Sequence, residues 1–151
     1  MSIDVTIARG DDDALCDALN RLVPQLTANA VTVTPDALAT IIESEGSTLF
    51  VARDGDAIVG VATLVTYRVP TGVKAWIEDV VVDESARGRG VGEALARAAL
   101  DEAAARGVRA VDLTSRPSRE AAHRLYQKLG FDTRDTSVYR FLVEPPEDDS
   151  Q

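Results

Sequence analysis

Six consecutive residues, Arg87-Gly88-Arg89-Gly90-Val91-Gly92, carry the clearest chemical signal in this chain. They follow an apolar run, Val80-Val81-Val82, and lead into an alanine-rich stretch with helical periodicity. A glycine loop that opens a helix presents backbone N–H groups without intrahelical acceptors, at the positive end of the helix dipole. Such a loop suits an anion, and a pyrophosphate above all, because glycine lets the backbone approach closely and Arg87 and Arg89 add charge. Two other glycine-loop chemistries fit poorly. A dinucleotide fingerprint belongs to a parallel βαβ unit near the N-terminus, with an acid about 20 residues on. Here three strands with hairpin-like connections precede the loop. A P-loop needs Gly-Lys-Ser/Thr after the glycines, which this chain lacks.

The elements that must position this loop can be read from hydrophobic period and turn chemistry. Strands are predicted over 2–8, 49–52, 58–67, 74–82 and 108–114, another starting at Phe131, and a last one over 137–143. Asp54-Gly55 marks a hairpin. The non-alternating end of the 74–82 strand implies cover on both faces. One helix starts at the acidic Asp11-Asp12-Asp13 and buries Leu15, Leu19, Leu22, Val23 and Leu26. A second starts at Thr34-Pro35-Asp36 and buries Leu38, Ile41 and Ile42. A third over 91–106 buries Val91, Leu95, Ala99 and Ala103, with Glu93–Arg97 and Glu102–Arg106 as surface pairs and Gly107 at its end. A fourth over 118–129 is stopped by Gly130. The order β-α-α-β-β-β-α-β-α-β-β is that of a mixed α+β domain, expected over 1–144, followed by an acidic flexible tail over 145–151.

At 151 residues, 45% of them apolar and 27% charged, the chain has the size and composition of one globular domain. Its net charge of −9 argues against nucleic acid as a partner and is compatible with a cationic ligand. A single cysteine, Cys16, suits a reducing compartment. The absence of a signal-peptide pattern and of a membrane-length apolar run points to a cytoplasmic protein without a membrane partner. No cluster has metal-ligand spacing.

The loop fits the Arg/Gln-x-x-Gly-x-Gly/Ala signature, and Ala122-His123-Arg124-Leu125-Tyr126-Gln127-Lys128-Leu129-Gly130-Phe131 fits A-x-x-L-Y-x-x-x-G-F. With the preceding strand Ile77-Glu78-Asp79-Val80-Val81-Val82 and the element order, the chain resembles the GNAT N-acetyltransferase superfamily over nearly its whole length. The resemblance implies a single-domain fold with a mixed, mostly antiparallel sheet of six to seven strands, flanked by helices and splayed at its central strands. It implies acetyl-CoA as co-substrate, with no metal. The diphosphate would lie on Arg87, Gly88, Arg89, Gly90, Val91, Gly92 and Glu93, and the pantetheine arm along Val80, Val81 and Val82. Arg119 stands where many relatives carry Asn near the cofactor; a cation there suits a phosphate.

The resemblance also implies catalytic roles. Read on spacing alone, Tyr126 is a helix-face side chain beside Leu125 and Leu129; the motif makes it the hydrogen-bond donor to the leaving thiolate. Glu78 is the expected base for the amine, with Asp79 second. Strict alternation would send these neighbours to opposite faces, so only one could enter a cleft directly. A base acting through ordered water stays open. His123, Arg124, Lys128 and Cys16 are weaker candidates, and Trp76, on the side of Glu78, walls either the acceptor site or the core. The expected reaction is transfer of acetyl to a primary amine of a small molecule or peptide in a ternary complex. The alternative is a non-catalytic acyl-CoA-binding module. The acceptor would meet residues 26–34 and 132–136, with Glu43 and Glu45 adding negative charge, and a homodimer is an open partner state.

Overall fold

The computed structural model describes residues 2–10, 12–116 and 118–144. Asp11 of the expected acidic cap and the tail over 145–151 lie outside them. The chain runs β1 (Ile3–Ile7), α1 (Asp13–Leu26), α2 (Pro35–Glu43), β2 (Ser47–Asp54), β3 (Ala57–Val69), β4 (Gly72–Val82), α3 (Val91–Ala105), β5 (Val111–Asp112) and α4 (Glu120–Leu129). The strands form one sheet in the order β1-β2-β3-β4-β5, antiparallel except for the β4–β5 pair. This is the expected α+β architecture.

Helix signals in the sequence act as anticipated. Asp12 caps α1 by accepting from the Leu15 N–H at 3.1 Å, and Thr34 caps α2 by accepting from Ala37 at 3.1 Å. The apolar stripe of α1 and Leu38 of α2 pack on one face of the sheet, against Leu49, Val51, Ile58, Val61 and Val81. The stripe Val91, Leu95, Ala99 and Ala103 of α3 packs on the other face, against Phe50, Ala52, Ala62, Leu64, Ala75 and Ile77. The alanines let α3 lie close to the sheet. Gly60 completes that approach: a Cβ there would stand 2.9 Å from Val91 Cγ1 and 3.0 Å from the Val81 carbonyl oxygen.

The sheet departs from the sequence expectation on its β5 side. Strand β5 keeps only Val111–Asp112 of the span 108–114, pairing with Ala75 and Trp76 of β4. No residue from 131 to 144 is in a strand, so the described sheet has five strands and not six or seven. A two-residue β5 offers too short a ladder for another strand to extend. Phe131 packs on the α3-side core, whereas Val138, Tyr139, Phe141 and Val143 are each at least 75% exposed.

The tight α3–sheet contact gives a direct test. Gly60→Ala forces a methyl against backbone and should lower unfolding stability by about 2 kcal/mol. The urea midpoint should fall with an unchanged slope.

Candidate active site

The site is built around an irregularity in β4. Val61 pairs with Val81 and Thr63 with Glu78, so Asp79 and Val80 together oppose Ala62. This is a β-bulge, and Asp79 takes the left-handed conformation with φ 50°. The extra residue reverses the side-chain alternation. Ala75 and Ile77 face α3, as do Val80 and Val82, while Val81 turns to the α1–α2 cluster. The alternation expected of this strand therefore breaks at the Asp79–Val80 bulge, just after Glu78. Glu78 and Asp79 are both exposed, and Asp79 acts electrostatically on Glu78. Partial burial, followed by the neighbouring Asp79 charge, raises the Glu78 carboxyl above its ordinary value.

β4 also has an open edge beside the bulge. β3 bonds β4 along most of its length, but β5 reaches only Ala75 and Trp76. Beyond Trp76, the β5-side edge of β4 along residues 77–82 has no strand neighbour among the described residues. Extended chains with amides of their own can satisfy such an edge.

At the end of β4 the chain turns into the glycine loop. The Asp83 N–H bonds the Val59 carbonyl at 2.8 Å, and the Asp83 carboxylate accepts from Ser85 at 3.3 Å. A 3₁₀ turn over Glu84–Ala86 buries Ala86 and delivers the chain to Arg87. Gly88 and Gly90 have φ of 78° and 82°, a region open to glycine but costly for other residues. Gly90 caps α3 without a side-chain bond, and the first helical bond runs from Ala94 N–H to Gly90 C=O at 3.0 Å. The N–H groups of Val91, Gly92 and Glu93 thus precede the first helical bond and point out of the helix end. Arg89 lies 3.4 Å from Asp54 at the β2–β3 hairpin, and Arg87 is exposed. The Glu93 carboxylate is held by Arg97 at 2.9 Å and Lys128 at 3.2 Å, which leaves its backbone as the part that can serve the loop.

α1 fixes this loop from below. Arg21 pairs with Asp83 and donates to the Ile58 carbonyl at 2.8 Å, and Gln25, one turn on, accepts from the Glu84 N–H at 3.0 Å. Sequence reading missed these two residues: their partners lie 62 and 59 positions away, and nothing local marks them. Burial alone would push the Asp83 carboxyl up, but the Ser85 N–H, Arg21 and Gln25 together bring it below its ordinary value.

Tyr126 arrives from α4. A Cβ on Gly92 would stand 3.3 Å from Leu125 Cδ2, so the missing side chain lets α4 close on the start of α3. The Tyr126 ring meets Phe131 edge-on, with centroids 5.6 Å apart, and Phe131 N–H bonds the Tyr126 carbonyl at 2.9 Å. Burial raises the Tyr126 phenol above its ordinary value against a smaller opposing effect of Arg119. Tyr126, Trp76, Asp112, Leu113 and His123 line an open cleft of about 1210 Å³ between the sheet edge and α4. Glu78 is not among the residues lining it. The Nε2 of His123 is engaged with the Arg116 carbonyl at 2.9 Å, and buried Cys16 lies 3.3 Å from the Val33 carbonyl. Among the described residues no group of His, Cys, Asp or Glu could hold a metal, and no helix is long and apolar enough to cross a membrane.

Comparison with known proteins agrees with this geometry. The Acetyltransferase (GNAT) family profile matches residues 17–131. An acetyltransferase from Trypanosoma brucei superposes with a TM-score of 0.72 at 26% identity, covering 93% of this chain and 100% of its own. A transcriptional regulator from Bacillus halodurans gives 0.78 at 23% identity, covering 93% and 100%. An aminoglycoside acetyltransferase from an uncultured soil metagenomic sample gives 0.81 at 18% identity, covering 95% and 97%. A comparison with curated protein sequences gives no match. The chain belongs to the GNAT family of acetyltransferases.

The clamp under the loop gives a pH prediction. A carboxyl held below its ordinary value adds stability above that value, 3.8, and loses it as pH falls through the folded-state value. Asp83→Asn should therefore lower stability at neutral pH and flatten the acid limb of a stability–pH curve below 3.8, with denaturant melts as the measurement.

Proposed function

We propose that this protein transfers acetyl from acetyl-CoA to a primary amine by direct attack in a ternary complex. The observation that carries the reading is the continuity of two anchors: left-handed glycines at a helix start and an unpaired strand edge that leads away from them. The loop from Arg87 through Gly88, Arg89, Gly90, Val91, Gly92 and the Glu93 backbone fits a diphosphate. The edge at Val80, Val81 and Val82 fits an amide-bearing arm that continues toward Tyr126. Arg119, at the start of α4, adds a cation near Tyr126.

In this reading the amine nitrogen attacks the thioester carbonyl carbon, a C–N bond forms and the C–S bond breaks. Glu78 accepts the proton lost by the nitrogen, directly or through water. Its raised carboxyl makes it a better base than an ordinary glutamate. Tyr126 donates a hydrogen bond to the departing sulfur. A phenol already less acidic than a thiol is pushed further up by burial, so its proton stays on oxygen and the hydrogen bond does the stabilising.

Calorimetry with acetyl-CoA, followed by CoA release against an amine panel, tests the reading; binding without release across the panel would favour a non-catalytic module. Tyr126→Phe should lower kcat about 100-fold with the KM for acetyl-CoA little changed. Undiminished turnover would remove Tyr126 from the chemistry. Glu78 must be ionised to work, so the acidic limb of the rate profile should lie above the ordinary glutamate value of 4.5. Glu78→Gln should abolish that limb and cost about 100-fold in kcat/KM.

A further inference from the structure

Trp76 is the sole tryptophan of the chain and sits on the cleft with Tyr126. Its indole Nε1–H donates to the Tyr67 hydroxyl at 2.9 Å, which fixes the ring plane. Tyr67 pairs with Lys74 and Trp76 with Val65, so the two aromatics are diagonal neighbours on one face of β3 and β4. Two acidic residues are near this pair in the sheet register. Asp112 lies opposite Trp76 in the β4–β5 register and lines the same cleft. Glu78 lies two residues along β4 on the same face. The nearby cations are Lys74, two residues the other way, Arg109, which lines the same cleft, and Arg134, whose guanidinium is 4.0 Å from Asp112.

An oriented indole beside a carboxylate is chemistry for a cation: the ring face attracts it through its quadrupole and the acid adds charge. The reacting amine must be neutral when it attacks, so this cation is a second centre on the acceptor. We propose that Trp76, braced by Tyr67 and beside Asp112, binds a second positive charge on the acceptor, with the reacting nitrogen at Glu78, and makes diamines the preferred class. The spacing of two strand residues sets the distance from the reacting nitrogen at about 6–7 Å. The inference rests on the acetyl-transfer reading for the reacting end but predicts binding that can be measured without turnover.

The single tryptophan is its own reporter. Trp76 fluorescence of the full chain, saturated with CoA, should respond saturably to 1,4-diaminobutane at about tenfold lower concentration than to n-butylamine. In steady-state acetyl transfer, Trp76→Leu should collapse the kcat/KM preference for diaminobutane over butylamine about tenfold, through KM. Tyr67→Phe, which keeps the reporter, and Asp112→Asn should shift the same ratio in the same direction, with the KM for acetyl-CoA within about twofold. Equal fluorescence affinities for the two amines, or variants that raise both KM values alike, overturn the proposal. If no amine is acetylated, the acetyl-transfer reading fails, and the fluorescence comparison alone decides whether Trp76 selects the diamine.

Discussion

One backbone defect governs the arrangement of this molecule. The bulge at Asp79 and Val80 inserts a residue into β4 without a matching residue in β3. Before it, Ala75 and Ile77 support α3; after it, Val80 and Val82 do so, and Val81 crosses to the α1–α2 side. On the other edge, β5 pairs with β4 only at Ala75 and Trp76, short of the bulge. A regular strand would keep one alternation throughout and would send the chain at Val82 in a different direction. The change of face after Glu78 and the course of the chain into the glycine loop therefore share one local cause, and the left-handed Asp79 supplies it. Aspartate is among the few residues that tolerate this conformation.

Around the bulge, small residues control distance and polar side chains control direction. Gly60 admits Val91 and Leu95, and Gly92 admits Leu125, so α3 and α4 both approach at backbone range. Arg21 and Gln25 then pin the turn between β4 and α3 from a helix on the opposite side of the sheet. Arg106 does the same at the far end of α3. It bonds the Glu45 carbonyl at 3.1 Å and the Thr48 hydroxyl at 2.9 Å.

Much of this was legible in the sequence where the signal is local. Asp12, Thr34 with Pro35, and Gly130 mark helix ends by their own chemistry, and the stripes of α1 and α3 follow from a 3.6-residue period. The glycine loop and the Tyr126 motif were legible for the same reason. The bulge was not, because Ile77 through Val82 read as an unbroken strand and the single unusual residue, Asp79, resembles any polar interruption. The Arg21–Asp83 clamp was hidden by sequence distance. The segment over 137–143 failed in the other direction: its composition favours a strand, but pairing requires a neighbour, and the two-residue β5 does not supply one.

The contact between Arg89 and Asp54, set in a chain of net charge −9, bears on kinetics as well as affinity. The loop is a small positive island in a negative field, and one of its cations faces a carboxylate across the hairpin. In the proposed reading, a polyanionic co-substrate drifting in from bulk solvent first meets repulsion, and attraction takes over only close to the loop. Added salt screens the long-range part first. Encounter should therefore quicken with ionic strength over the range where, once contact is made, the short-range hold weakens.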